Sequence, residues 1–135
     1  MISGKFAITM HILTLLTKFP NEYLTSEFIA ESINLHPVLV RKEIANLKQN
    51  HIVMSKEGKN GGTKLAIAPK NISLDGIFKL TFEKVTFGYA KNQPNPACPV
   101  GQQINKNLEE LYENINTKIN EDLKNITLED FSNKF

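Results

Sequence analysis

Apolar residues recur at helical spacing along several stretches of the chain and alternate in one, and these changes of period set the expected elements. Ile8, Ile12, Leu15 and Leu16 mark one face of a helix over Phe6 to Lys18. A shorter helix opens at Thr25 or Ser26, since either hydroxyl can accept a free backbone N–H of a first turn. Phe28, Ile29 and Ile33 follow at helical spacing, and Asn34 suits the left-handed conformation of a helix end. His36-Pro37 restarts the chain, because proline is favoured at the first helical position. The next helix runs from about Pro37 to Gln49. At roughly 100° per residue, Val40, Ile44 and Leu47 share one face, which the core should take, while Val38, Arg41, Lys42 and Ala45 lie opposite.

The period then shortens. His51 to Ser55 and Thr63 to Ile67 read as paired strands, joined by Lys56-Glu57-Gly58-Lys59-Asn60-Gly61-Gly62. Glycine and asparagine supply the positive φ angles of such a loop. Two helices about a tight turn, followed by a Gly-tipped hairpin, predict a winged helix-turn-helix.

Ser73 is placed to cap a short helix from Leu74 to about Phe82, whose Ile77, Leu80 and Thr81 should pack on the core. Residues 83–99 hold Pro94, Pro96 and Pro99 with Gly88, Asn92 and Asn95, and read as a loop. A long helix follows from about Val100 to Asn125, striped by Ile104, Leu108, Leu111, Ile115, Ile119 and Leu123, with Tyr112 beside the stripe. It is longer than a small domain's core can cover, so the stripe calls for a partner, most simply the same helix of a second subunit. Thr127 to Asp130 reads as a capping box opening a last short helix, Leu128 to Phe131. The expected fold is mainly α with a small β-hairpin wing. It divides into a DNA-binding unit over 1–82, a loop over 83–99 and a dimerisation segment over 100–135.

Charge placement gives this frame its chemistry. Arg41 and Lys42 can bond phosphates or a guanine edge in the major groove, and Val38 can touch a thymine methyl. Lys56, Lys59 and Lys64 put cations on the wing, where they could hold phosphates. Ser26, His36, Leu39 and Asn60 complete the expected DNA-contacting set. The formal charge is only +2, with sixteen Lys and Arg against fourteen acids. DNA affinity must therefore come from where the cations sit. Many acids gather in the last third (Glu109, Glu110, Glu113, Glu121, Asp122, Glu129, Asp130), away from Arg41 to Lys64. The alternative for the second helix is an ordinary solvated face.

The ordered set His36-Pro37-Val38-Leu39-Val40-Arg41-Lys42, Asn46-Leu47, Gly61-Gly62, Leu65, Ile72-Ser73-Leu74 and Cys98-Pro99-Val100-Gly101 resembles the Rrf-two family of bacterial transcription regulators. This is the family of IscR, NsrR and CymR. The resemblance covers nearly the whole chain. It implies a homodimeric winged-helix regulator, usually a repressor, with a sensor in the segment before the long helix. Members that bind an iron–sulfur cluster carry three cysteines there, whereas this chain has one, Cys98. Clusters need several thiolates, so no cofactor is expected. The chain is similar to the family's single-cysteine, CPVG-bearing branch.

With Pro99 in the first helical turn, the Cys98 sulfur should lie near a helix N-terminus, where the partial positive charge favours thiolate. Oxidation there could move the DNA-reading heads; the alternative is a cap or a small loop packer. One cysteine rules out an intramolecular disulfide and suits a reducing compartment, so a cytoplasmic location is expected. Phe6 to Leu16 superficially suggests a signal peptide, but Thr9, His11 and Thr14 interrupt it and no cleavage pattern follows. No segment is long enough to span a bilayer, and no membrane partner is expected. His11, His36 and His51 lack metal-ligand spacing, and no catalytic constellation is evident.

The expected function is a homodimeric repressor of an inverted-repeat operator in duplex DNA, thiol-responsive through Cys98. Two alternatives stay open. One is a regulator gated by a small molecule between the Phe87–Tyr89 loop and the long helix, which would survive loss of Cys98. The other is a partner-binding module that has lost DNA binding.

Overall fold

Local signals set most of the element boundaries. The structure, a computed structural model, describes residues 4–82 and 87–135. Helix α1 spans Lys5–Lys18, α2 Ser26–Ile33 and α3 Pro37–Gln49. Thr25, rather than Ser26, caps α2, its hydroxyl accepting the Phe28 N–H at 3.1 Å. Asn34 ends α2 in the left-handed conformation, φ 61°. His36 caps α3, its Nδ1 accepting the Val38 N–H at 3.1 Å. At the far end of α3 the N–H groups of His51 and Ile52 fold back onto Lys48 and Leu47 carbonyls, with His51 at φ 61°.

That closure delays the hairpin. β1 is Val53–Lys56 and β2 Gly62–Leu65, antiparallel with Val53 opposite Leu65. Both are shorter than the alternation predicts, because His51 is spent on the helix end. A third segment joins them: Leu24 donates its N–H to the Thr63 carbonyl at 2.9 Å and accepts the Thr63 N–H at 2.8 Å. The α1–α2 connection thus flanks the wing as a one-residue strand.

A short 3-10 turn, Pro69–Asn71, leads to α4, Leu74–Thr81, and α5 runs Pro99–Lys124. Ser73 occupies the N-cap position of α4, but its hydroxyl donates to the Asp75 carboxylate instead of accepting a helix N–H. The last helix, α6, is Leu128–Ser132, opened by the reciprocal Thr127–Asp130 capping box. Leu74 N–H to Ile126 carbonyl at 2.9 Å and Leu128 N–H to Ile72 carbonyl at 2.8 Å stitch α6 to the start of α4.

Ile12, Leu13, Leu16, Ile29, Val40, Leu47, Ile77 and Leu128 are fully buried in one cluster. Phe28, expected within the apolar set of α2, is instead exposed and meets Phe19 edge to face at 5.8 Å. α5 rests on α4, with Tyr112 its buried residue. Its stripe divides: Leu123 packs on the core, Leu108, Ile115 and Ile119 are half-buried, and Ile104 and Leu111 are exposed. No described helix is long and apolar enough to cross a membrane.

Because Leu128 is wholly enclosed, Leu128→Ala should cost about 2–5 kcal/mol of unfolding free energy in urea titrations. A loss below about 1 kcal/mol would show that α6 is peripheral to the core.

Candidate nucleic-acid interface

One face of α3 is left to solvent. Val40, Ile44 and Leu47 turn inward, while Val38 and Leu39 are 57% and 47% exposed and Arg41 and Lys42 are exposed beside them. Val38 and Leu39 thus leave methyl groups free to meet a partner. His36 spends Nδ1 as a cap acceptor, so its neutral ring carries the proton on Nε2, a donor at the start of the same helix. Ser26 is half-buried at the first position of α2. Arg41 is not free: its Nη2 donates to Glu27 Oε1 on α2 at 2.6 Å. Glu43, on the inner side of α3, is 8% exposed. Neither glutamate was expected to matter, and both need the packing of α2 on α3 to be noticed.

The wing is shaped by its glycines. Gly58 (φ 84°), Asn60 (φ 64°) and Gly62 (φ 146°) take left-handed backbone. Gly61 is required for a different reason: a Cβ there would lie 2.2 Å from the Lys56 carbonyl oxygen. At Gly62 a Cβ would lie 2.4 Å from the Leu24 carbonyl oxygen, inside the strand pairing that holds the wing to α2. Asn60 therefore serves the turn. Lys59 stands exposed at the tip. Lys64 and Lys56 are steadied by a residue that the periodicity does not single out: their Nζ atoms lie 4.8 and 5.9 Å from the centroid of the Tyr23 ring. The Tyr23 hydroxyl also meets Met54 Sδ at 3.9 Å. The signal available in the sequence was the position of Tyr23, directly before the flanking segment.

Cys98 is the N-cap of α5, followed by Pro99, Val100 and Gly101 in its first turn. The loop before it is an Asx turn: Asn95 Oδ1 accepts the Ala97 N–H at 3.0 Å and the Asn95 carbonyl accepts the Cys98 N–H at 3.2 Å. A Cβ at Gly101 would come 2.5 Å from the same carbonyl oxygen, which explains a glycine inside a helix. The Cys98 thiol is half-buried. Hydrogen bonds from the Gly101 and Val100 N–H groups hold its pKa below the ordinary cysteine value. The corner above α5 is filled by its own rings: Phe87 and Tyr89 lie 5.8 and 5.5 Å from Tyr112, whose hydroxyl donates to the Gly88 carbonyl at 2.7 Å.

On the far side of the chain, an apolar groove of about 720 Å³ is lined by Phe6, Met10, Leu15, Leu123, Phe131 and Phe135. His11 borders it, its Nε2 2.9 Å from Ser32 Oγ.

The family model for Rrf2, described as iron-dependent transcriptional regulator, matches residues 2–134. YwnA of Bacillus subtilis (strain 168), which bears the name of an HTH-type transcriptional regulator, is 34% identical over 133 residues, covering 98% of both chains. Among solved structures, a transcriptional regulator from Lactobacillus plantarum superposes with TM-score 0.82 at 24% identity, over 96% of this chain and 88% of that one. CymR, the global cysteine regulator of B. subtilis, superposes with TM-score 0.74 at 23% identity, over 100% of this chain and 98% of that one.

Two outcomes follow from this geometry. Gly62→Ala should lower unfolding free energy by about 1–3 kcal/mol in thermal or urea melts, since both its backbone angle and its neighbour forbid a methyl group; an unchanged melt would contradict the Leu24–Thr63 pairing. Iodoacetamide should alkylate Cys98 with a midpoint pH below the ordinary value of about 8.5, thiolate persisting to lower pH than in a free cysteine. A midpoint at or above that value would remove the influence of the α5 N-terminus.

Proposed function

The chain belongs to the Rrf2 family of transcriptional regulators, and from that premise we propose that it is a homodimeric repressor which binds an inverted-repeat operator through α3 and the wing. Its role is regulatory and not catalytic. The observation that carries the reading is the open face of α3, with Val38, Leu39, Arg41 and Lys42 beside a wing bearing Lys56, Lys59 and Lys64. α3 enters the major groove, Arg41 reads a base edge, Val38 meets a thymine methyl, and the wing lysines hold phosphates. The Lys56 and Lys64 Nζ atoms are held over the Tyr23 ring on this wing.

Two uncovered apolar surfaces favour a dimer. Val100, Ile104 and Leu111 stand exposed along α5, and the groove beside α1 and α6 is mostly apolar, with His11, Thr14, Lys18 and Ser32 among its lining. Pairing through these surfaces hides both and sets two α3 helices about one helical turn apart on DNA.

Cys98 is the sensor in this reading. Its thiol sits where the loop meets α5, so oxidation there changes the packing of Asn95 against Gly101 and the angle at which α5 leaves the DNA-binding unit. The family description names iron, but the donor chemistry does not fit a cluster. The chain contains one cysteine, and among the described residues no group of three or more His, Cys, Asp or Glu could hold a metal ion. The reading therefore carries no cofactor and places the protein in the cytoplasm, where a lone thiol stays reduced. The ligand-gated alternative sets a small molecule between the Phe87–Tyr89 loop and α5, where Phe87 and Tyr89 themselves pack on Tyr112; a separate hollow of about 450 Å³ between α4 and α5 is lined by Phe78, Lys79, Phe82 and Asn120 among others.

The test is binding to a duplex selected from a randomised pool. Arg41→Ala should weaken the selected site by about 1–3 kcal/mol, whereas Lys59→Ala should weaken all duplexes alike and reduce the salt slope by about 1. Affinities unchanged by both substitutions, or insensitive to salt, would overturn DNA binding in favour of a protein-docking module.

A further inference from the structure

We propose that Glu27 is a positioning residue that sets the base selectivity of Arg41; the proposal rests on the DNA-binding reading above. Arg41 Nη2 donates to Glu27 Oε1 at 2.6 Å, a charge-assisted distance. The two residues belong to different helices, so the contact is made by the packing of α2 on α3 and not by spacing along one helix.

Folding stability does not account for the pair. Its side chains are 53% and 67% exposed, and pairs so open contribute little to stability. Glu27 lies in the first turn of α2, where an acid is welcome to the helix dipole, but that role needs no contact with Arg41. A carboxylate beside the DNA-reading arginine also repels phosphates, so it lowers affinity for any duplex.

The geometry supplies the compensation. A guanidinium has five N–H donors in a planar fork. Engaging one Nη2 hydrogen restrains the plane of the fork and leaves a two-donor edge for a partner, the second Nη2 hydrogen with whichever of Nε and Nη1 lies beside it. A guanine presents O6 and N7 as a matching two-pronged edge at a fixed place in the major groove. A phosphate can be met by an arginine that swings freely, but Arg41 cannot swing without abandoning Glu27. The carboxylate would then stand unpaired near the DNA backbone. Glu27 thus favours the one arrangement in which Arg41 reads a base and penalises those in which it serves as a loose counterion.

Dissociation constants at one salt concentration, for the selected operator and a scrambled duplex, test this in the wild type, E27Q, E27A, R41A and the E27A/R41A double variant. E27A should lower the operator-to-scrambled selectivity roughly tenfold, with scrambled affinity unchanged or tighter. E27Q keeps an acceptor of the same shape without the charge, and should lower selectivity by only about threefold. In the R41A background, E27A should leave selectivity unchanged, because the effect passes through Arg41. Equal shifts on both duplexes in E27A would reduce Glu27 to a bare charge and overturn the proposal. A selectivity change that persists without Arg41 would overturn it too. Should E27A fail to fold in a thermal melt, E27Q decides: undiminished selectivity overturns the proposal. A wild-type protein that selects no sequence would instead overturn the DNA-binding reading, and this proposal with it.

Discussion

Burial of α1 is the constraint from which the rest of the structure is registered. Ile12, Leu13 and Leu16 are fully enclosed, with Thr9, Met10 and Thr14 buried around them, so the helix is covered on most of its circumference. It touches α2, α3, α4, α6 and β2. By area, the three enclosed aliphatic side chains contribute about 5–9 kcal/mol against exposure, as much as a typical domain's whole net stability. Of the two buried threonines among them, the Thr9 hydroxyl has no hydrogen-bond partner among the described residues, whereas Thr14 is satisfied locally, as is the half-buried Thr17. Thr14 and Thr17 donate their hydroxyls to the carbonyls one turn back, at 2.7 and 2.8 Å. This coverage also accounts for the resemblance of the first residues to a secretory signal. A helix covered on most of its circumference is apolar around most of it, whatever its destination.

α3 and the wing, which the proposal sets against DNA, are held to this helix by two separate devices. α3 is fixed by side-chain packing, through Val40, Ile44 and Leu47. The wing is fixed by backbone pairing, through Leu24 and Thr63, at a point where only glycine can stand next in the chain. In the proposed reading, the first device orients α3 rigidly, as base reading requires, and the second places lysines near a DNA backbone whose charge is smeared along its length and needs less exact docking. Tyr23 adds stiffness to two of those lysines, and Glu27 holds Arg41 of α3.

What could be read from the chain alone was what local chemistry dictates. His36-Pro37 and the Val40, Ile44, Leu47 spacing set α3 at Pro37–Gln49 as expected, and Thr127 with Asp130 formed the capping box. The glycines announced a hairpin, and the ordered motifs announced the family. The missing parts are non-local. Nothing in Leu24 advertises a bridge to Thr63, and nothing in Glu27 advertises Arg41, because both depend on how distant segments pack. Phe28 was misplaced because helical spacing counts apolar residues without knowing that Phe19 waits outside the core. Ser73 was expected as a cap, yet Asp75 competes for its hydroxyl. Gly101 made sense only once the Asn95 carbonyl was found against it.

The proposed function rests on one physical claim: two copies of the chain, paired through α5, present two α3 helices and two wings to one face of a duplex. Hydroxyl-radical footprinting on a selected operator tests that claim most directly. The account predicts two equivalent protected patches related by the dyad of an inverted repeat, centred about one helical turn or a multiple of it apart. A single patch, or protection without two-fold symmetry, would contradict it.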